Sequence, residues 1–231
     1  MKNIYHIVAA KENDFCGVLD YTKCLMKALV DESGAGKLLM VDGWTWKNIF
    51  KLRSLIVNKK GAVINIQYPS LAMGYFPLMN FIKLFCFRCD LYITVHEFYV
   101  FSFIRKMYLL PMSFFSKGII FTNDFEKKYF LRFFPWAGHK VHVIPIGTNI
   151  KASKSIDNDR QGVCYFGQLT ENKGVDEFLD TVEIIRSHTS DIKCTIIGAL
   201  LDDDLPIVKR MYALCESLDI KLLINKTNDE L

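Results

Sequence analysis

Short apolar runs alternate with amphipathic segments along most of the chain. Asn3–Ala9, Ala62–Gln67 and Leu91–Val95 are runs of the length and composition typical of buried strands. Leu19–Val30 instead places apolar residues at helical spacing, and the polar, glycine-containing residues 31–36 end it. Strands that alternate with helices predict a parallel sheet with helices on both faces, so we expect an α/β fold.

The same pattern assigns the remaining elements. Further helices are predicted at Trp44–Val57, Leu78–Phe87, Phe101–Phe115, Asp124–Phe134, Val175–Ser187 and Leu205–Leu218. Further strands are predicted at Lys37–Val41, Gly118–Phe121, Val141–Ile144, Val163–Phe166, Lys193–Ile197 and Lys221–Ile224. Pro111 is expected to kink or end the helix that contains it.

A polar stretch separates two such series. Residues 148–161 are rich in Lys, Ser, Asp and Asn, which predicts a linker between a first domain, 1–147, and a second domain, 162–231. Charge divides at the same place: residues 1–150 hold 19 Lys and Arg against 10 Asp and Glu, whereas residues 151–231 hold 10 against 15. We therefore expect two Rossmann-like units of opposite net charge.

Cysteine usage and local motifs exclude several classes. Seven scattered cysteines indicate free thiols in a reducing cytosol, and the lone Cys86–Cys89 pair lacks the second pair or the histidines of a zinc site. No metal cluster, nucleophile elbow or signal peptide is visible. The uncharged residues 61–82 contain polar residues and prolines, which favours strand, loop and helix over a membrane span.

The stretch Val163–Val175 carries the clearest chemistry. A strand leads into Gly167, a polar loop follows, and a helix opens at Lys173 and Gly174. Such a turn directs backbone N–H groups and the positive helix end at one point, which suits a phosphate. An ordinary strand-to-helix loop with a solvated lysine is the alternative.

These residues carry a resemblance. Phe166–Val175 resembles the second-domain phosphate loop of GT-B glycosyltransferases of family 4, the retaining, group 1 type. Other segments resemble further landmarks of that family in the same order: Cys16–Thr22, Thr94–Glu97, Phe121–Asn123 and Val143–Gly147. The resemblance implies a GT-B-like fold, in which two Rossmann-like units each contain a doubly wound parallel sheet.

The resemblance also implies a reaction and its residues. Family members transfer a sugar from a nucleotide-diphosphate donor to an acceptor without metal or cofactor. Gly167, Gln168, Lys173 and Gly174 would bind the donor diphosphate, although Gln168 stands where the family usually has Arg and supplies no charge. His96, at a strand end, would be the catalytic residue that faces the sugar. Gly17 would let the first loop approach the phosphate or the acceptor.

The end of the chain departs from the family pattern. The family's glutamate pair, which binds the donor sugar and ribose, would follow the last residues, so the second unit is expected to be incomplete. We expect the chain to be a truncated product, a fragment, or half of a split enzyme completed by a second polypeptide, and to have little activity by itself. An inactive accessory subunit that binds a membrane or partner, and a sugar-nucleotide epimerase of the same fold, remain open alternatives.

Residues 101–140 predict a partner surface. They hold 7 Lys and Arg, 2 Asp and Glu, and 12 aromatic residues. Such a surface suits anionic lipid, and the family resemblance implies a glycan or lipid-linked acceptor in surface polysaccharide synthesis at the inner membrane face. A buried aromatic core with solvated lysines explains the same composition. No nucleic-acid recognition motif is present, so we expect no nucleic-acid partner. The free thiols and the lack of a visible signal peptide favour a cytoplasmic protein, which a lipid-linked acceptor would bring to the inner face of the membrane.

Overall fold

The structure is a computed structural model that describes residues 3–11, 16–43, 45–56, 61–70, 72, 88–147, 161–171, 173–189, 191–200 and 202–226. The chain divides into two compact units, Met1–Gly147 and Thr148–Leu231. The predicted helix at 78–87 and most of the predicted linker lie outside the described residues. Each unit is described by itself below.

Unit 1 contains a sheet of six described strands. They are β1 (Ile4–Ala9), β2 (Gly36–Val41), β3 (Val63–Tyr68), β4 (Asp90–Val95), β5 (Gly118–Phe121) and β6 (Val141–Val143). Their order is β2-β1-β3-β4-β5-β6, and every described pair is parallel. The order reverses direction between β1 and β3, which creates the crevice where open α/β sheets bind ligands.

The described helices of unit 1 follow the strands. They are α1 (Gly17–Ser33), α2 (Trp46–Ile56), α3 (Phe103–Met107), α4 (Leu110–Phe115) and α5 (Asp124–Phe133), with 3-10 turns at Phe98–Val100 and Pro135–Lys140. The single helix predicted at 101–115 is two short helices instead. Pro111 lies in the first turn of α4, where its missing N–H has no helical partner to lose, so it begins a helix rather than ending one.

The two faces of the sheet in unit 1 differ in polarity. One face is apolar from β1 to β5 and forms the main core with α2, the 3-10 turns and α5; its buried members include Ile7, Ile64, Ile66, Ile93 and Phe98. On the other face Val8 of β1 and Ala10, the residue after this strand, pack with Leu19 of α1 and with Cys16, the residue before α1. Buried polar side chains occupy the rest of that second face, and they are described with the site.

Unit 2 contains β7 (Val163–Gln168), α6 (Val175–His188), β8 (Cys194–Ala199), α7 (Pro206–Ser217) and β9 (Ile220–Ile224). The strands are parallel in the order β7-β8-β9. Leu179, Val182, Ile196 and Met211 are fully buried between the sheet and the two helices. The core therefore has the single apolar layer that a strand–helix–strand unit requires.

Strand β7 is longer than predicted. The sequence predicts an end at Phe166, but Gly167 and Gln168 continue the ladder opposite Gly198 and Ala199. A Cβ atom on Gly198 would lie 2.4 Å from the Gly167 carbonyl oxygen, so the glycine at 198 lets the two backbones approach this closely. Inter-strand hydrogen bonding thus overrides the break that the local sequence suggests.

Candidate functional site

The carboxyl edge of the sheet in unit 1 brings together the chain segments after β1, β3 and β4. The Ser70 hydroxyl, just after β3, accepts a hydrogen bond of 2.9 Å from the Ala9 N–H at the end of β1. The N–H of His96, just after β4, donates to the Tyr68 carbonyl at 2.7 Å. These bonds fix the ends of three neighbouring strands beside the crevice at the topological switch point.

His96 is held at this edge by side chains from two other elements. Its Nε2 lies 3.0 Å from Oε1 of Gln67, the penultimate residue of β3. The Tyr21 ring of α1 meets the imidazole edge to face, with 5.5 Å between the ring centroids. Burial lowers the pKa of His96 to about 4, so the imidazole is neutral at physiological pH and acts as a hydrogen-bonding group rather than a cation.

A row of buried polar residues leads away from His96 along the same face. The Asn65 and Thr94 side chains are hydrogen-bonded at 3.1 Å across β3 and β4. Asn65 pairs in register with His6 of β1, which is buried and has no hydrogen-bond partner for either ring nitrogen among the described residues. Burial lowers the pKa of His6 to about 4. Sequence analysis missed this row, because alternate polar residues in buried strands become meaningful only once register is known.

The segment that follows His96 is anchored through Tyr99. The Tyr99 N–H donates to a carboxylate oxygen of Glu126 at 2.9 Å, and the Lys106 ammonium donates to the Tyr99 carbonyl at 3.0 Å. Lys106 is buried over three aromatic rings, at 4.8–5.7 Å from their centroids: Phe98, Tyr129 and Phe133. Glu97, which immediately precedes the 3-10 turn at Phe98–Val100, lies in the left-handed region, at φ 57°. Contacts of the Tyr99 N–H and of the Tyr99 carbonyl therefore both fix the backbone that follows His96.

The basic and aromatic segment 101–140 divides between core and surface. Lys106 is buried, and Lys140 is buried where it donates to the Phe114 and Ser116 carbonyls at 2.9 and 3.0 Å. Lys117 pairs with Asp90 at 3.1 Å. Several large apolar side chains next to the segment after His96 remain exposed, by 50–70 %: Tyr99, Val100, Phe103, Ile104 and Phe125. The exposed surface is thus more apolar and less basic than the composition predicts.

Gly17 is exposed at the first position of α1. A Cβ atom there would meet none of the described residues within 4 Å, and its backbone is not in the left-handed region. Local packing in unit 1 therefore does not require a glycine at this position. The open space in front of Gly17 lies at the same sheet edge as His96.

The loop between β7 and α6 is tied together by Tyr165. The Tyr165 hydroxyl lies 2.8 Å from the Gln168 carbonyl oxygen and 3.2 Å from the Lys173 carbonyl oxygen. The single proton of this buried hydroxyl is thus directed mainly at the Gln168 carbonyl and shared with the more distant Lys173 carbonyl, which links the two ends of the loop. The Lys173 side chain is exposed. Burial and the nearby charge of Glu177 raise the pKa of Tyr165, so the hydroxyl keeps its proton. Sequence analysis missed this residue because Tyr165 resembles one more apolar residue of a strand.

Gly174 and the helix start complete the loop. Gly174 precedes α6 with φ 82°, a conformation that disfavours a side chain. A Cβ atom on Gly167 would approach the Tyr165 hydroxyl to 3.1 Å, so this glycine leaves room for the bond across the loop. The structure therefore brings Gly167, Lys173 and Gly174 to one turn at the positive end of α6.

The charge near that helix end is partly neutralised. Asp176 and Glu177 occupy the first turn of α6, where carboxylates compete with a bound anion for the helix dipole. Arg210 of α7 bonds Asp176 at 2.6 Å and also contacts Asp180, with Glu183 at 3.4 Å. Because Arg210 compensates Asp176, that carboxylate repels an anion at the loop less strongly than a free one.

Metal clusters and membrane-spanning helices are both absent from the described residues. Within the described ranges no group of three or more His, Cys, Asp or Glu is arranged to hold a metal ion. Among the same residues, no helix combines the length and apolarity needed to cross a membrane. The cysteines that the structure describes form no disulfide.

Comparisons by sequence find nothing: no protein-family model and no curated protein matches the chain. Solved structures do match. The catalytic domain of starch synthase IV from Arabidopsis thaliana, bound to ADP and acarbose, aligns with a TM-score of 0.64 at 10 % identity over 98 % of this chain and 74 % of that one. The N-terminal domain of Candida albicans trehalose-6-phosphate phosphatase aligns with a TM-score of 0.58 at 11 % identity, over 98 % and 72 %.

A third structure is that of an S. aureus TarM variant in complex with fondaparinux, alpha-GlcNAc-glycerol and UDP. It aligns with a TM-score of 0.54 at 14 % identity over 78 % of this chain and 36 % of that one. The likeness at these identities shows the fold, and the predicted GT-B-like α/β fold with parallel sheets is confirmed. The roles of His96, Gly17 and the Gly167–Gly174 loop remain predictions.

Proposed function

We propose that the chain is a glycosyltransferase, or part of one, that transfers a sugar from a nucleotide-diphosphate donor to a glycan or lipid-linked acceptor. The observation that carries the proposal is the loop between β7 and α6. It combines a fixed backbone, an exposed lysine and a helix N-terminus in one turn. The chain shares its fold with structures that hold ADP or UDP, which supports a nucleotide donor.

The reaction requires charge stabilisation where the nucleotide diphosphate leaves. Lys173 supplies a positive charge, and the N–H groups at the start of α6 supply hydrogen bonds without reorganising. Gln168 adds an uncharged donor. Within unit 1, the neutral His96 imidazole supplies a hydrogen-bonding atom for a hydroxyl of the transferred sugar, and the open space at Gly17 admits donor or acceptor.

The exposed apolar side chains after His96 favour a lipid-linked acceptor. Val100, Phe103 and Ile104 are each more than 60 % exposed and lie in the segment that follows the candidate catalytic residue. Contiguous exposed apolar surface marks sites that bind apolar ligands or membranes. We therefore propose an acceptor with an apolar anchor, of the kind used to build surface polysaccharide at the inner membrane face.

The donor site is tested by Lys173→Ala. A charge-assisted contact contributes roughly 1.5–3 kcal/mol, so the dissociation constant for UDP, ADP or GDP should rise about 10- to 150-fold. Lys193→Ala is the matched control, because it removes the same charge from an exposed lysine that precedes β8, at the amino edge of the sheet. Isothermal titration of the full chain with each diphosphate measures both variants.

Catalysis is tested separately with a panel of nucleotide sugars and with lipid-linked and soluble acceptors. Transfer that needs the lipid anchor supports the acceptor proposed here. Conversion of the donor to its epimer without any acceptor would identify an epimerase instead. If no nucleotide diphosphate binds, or if Lys173→Ala binds as tightly as the unchanged chain, the proposed donor site is wrong.

A further inference from the structure

Gln67 is the side chain that contacts His96 most directly, and no sequence motif points to it. It is fully buried in β3, and its Oε1 faces His96 Nε2 at 3.0 Å. The two residues belong to neighbouring parallel strands in which Gln67 pairs with Thr94, two positions before His96. Strand register therefore places the carboxamide and the imidazole on the same face at the carboxyl edge of the sheet.

We propose that Gln67 is a positioning residue that holds His96 in a single neutral tautomer, with the proton on Nε2 and the lone pair on Nδ1. Only the ligand of Nδ1 rests on the proposed function: in this tautomer Nδ1 accepts a hydrogen bond from a sugar hydroxyl.

The tautomer follows from the donor and acceptor inventory of the two groups. A neutral imidazole has one N–H, and a carboxamide oxygen can only accept. With Oε1 toward the ring, Nε2 must carry the proton. Among the described residues Nδ1 has no hydrogen-bond partner, so it is the nitrogen left for a ligand.

The surroundings of the ring keep this arrangement in place. Tyr21 packs against the imidazole, and it is the titratable side chain of α1 that contacts the ring. The Asn65–Thr94 pair occupies the next position on the same two strands, which fixes the spacing between β3 and β4. Among the described residues, the ring therefore has one polar contact that orders its proton and one aromatic contact that orders its plane.

The Gln67 amide nitrogen has no hydrogen-bond partner among the described residues, so no second contact of the carboxamide fixes its orientation. The orientation can be tested through the ring. If the amide were reversed, its N–H would donate to Nε2 and the imidazole proton would move to Nδ1. The two orientations thus predict opposite tautomers. A measurement of the tautomer decides between them without reference to any enzymatic activity.

The experiment is long-range ¹H–¹⁵N NMR of the imidazole rings in the full, ¹⁵N-labelled chain near pH 7. The chain has five histidines, so loss of one signal in His96→Gln assigns the ring. Gln67→Leu removes the acceptor. Gln67→Glu restores an acceptor that cannot be reversed and adds a charge, and Thr94→Val is the matched control, because it disturbs the same buried face without touching the ring.

We expect one tautomer, protonated at Nε2, in the unchanged chain and in Thr94→Val. Gln67→Leu should show a mixture of both tautomers. Gln67→Glu should restore the Nε2–H form and raise the pKa of His96, because a carboxylate stabilises the imidazolium. An Nδ1–H ring in the unchanged chain, or a single Nε2–H tautomer that persists in Gln67→Leu, overturns the proposal.

Transfer assays with the same variants separate this inference from the proposed function. If the chain transfers sugar, Gln67→Leu should lower kcat/KM by about 10-fold, the typical scale for loss of one oriented hydrogen bond, and Gln67→Glu should recover part of it. If no nucleotide diphosphate binds and no transfer occurs, but the tautomer depends on Gln67, the positioning role stands and the proposed function fails. If transfer occurs but the tautomer is independent of Gln67, the proposed function stands and the positioning role fails.

Discussion

Acid should destabilise the protein through His6. This residue is buried in β1, and neither ring nitrogen has a hydrogen-bond partner among the described residues. Burial lowers its pKa from 6.5 to about 4. As the pH falls below 6.5, the unfolded chain binds a proton at this histidine, whereas the folded chain stays neutral until about pH 4. The free energy of unfolding therefore decreases across this window and is constant, with respect to His6, below it.

The size of the effect follows from the two pKa values. One unit of pKa corresponds to about 1.4 kcal/mol, so the loss due to His6 is about 2 kcal/mol at pH 5 and about 3 kcal/mol at pH 4. This is a large share of the 5–15 kcal/mol that typically stabilises a folded protein. His96 has the same lowered pKa and should add a second loss of similar size.

The assay compares urea unfolding, followed by far-UV circular dichroism, at pH 7 and pH 5. His6→Leu should remove about 2 kcal/mol of the pH dependence, because leucine does not titrate. At pH 7 it should be at least as stable as the unchanged chain, since it removes two buried nitrogens that lack partners. His142→Gln replaces an exposed histidine of β6 and is the control for exchanging a histidine outside the core. An equal pH dependence in His6→Leu would refute the reasoning.

Three further substitutions test unit 2. Tyr165→Phe removes the hydroxyl that holds the Gln168 and Lys173 carbonyls, so urea unfolding should show about 1 kcal/mol less stability and titration should show weaker nucleotide binding. Gly174→Ala must adopt φ 82° with a side chain, which should cost about 1 kcal/mol without changing the charge at the loop; an unaffected stability would contradict the left-handed assignment. Arg210→Met leaves three α6 carboxylates uncompensated. Because this site is partly exposed, the free energy of unfolding should fall by about 1 kcal/mol in low salt and by less in 1 M NaCl. A loss of stability that does not depend on salt would contradict the ionic origin.

The fold was accessible from the sequence because its strands are short, apolar and regularly separated by helices. Residue spacing also located the turn at Lys173 and Gly174 and the strand end at His96. These features are local: each depends on a few consecutive residues whose backbone preferences agree. The same local reasoning placed the end of β7 too early, because pairing of Gly167 with Gly198 depends on a strand about 30 residues away.

The supporting residues of the candidate site could not be predicted, because each acts across strands or across a loop. Gln67 and His96 are separated by 29 positions in the chain, and only strand register brings them within 3.0 Å. The composition of residues 101–140 suggests that Lys106 belongs to a basic surface. Its ammonium is instead buried, where it donates a hydrogen bond to the Tyr99 carbonyl and lies over aromatic rings. Composition reports how many charges a segment has, whereas function depends on which of them reach the surface.

Burying polar side chains on one face of the sheet in unit 1 costs free energy, and folding alone does not explain why the chain does so. Strands of a parallel sheet covered on both sides are normally apolar on both faces, as β1, β3 and β4 are on the face of the main core. Buried amide and imidazole groups at best recover their desolvation cost through hydrogen bonds, and His6 does not recover it among the described residues. The row leads to the switch-point edge, where the fold places ligands. The ligand that we propose for an oriented, neutral His96 would account for the Gln67 end of the row. The predicted acid sensitivity of His6 measures the cost of the other end.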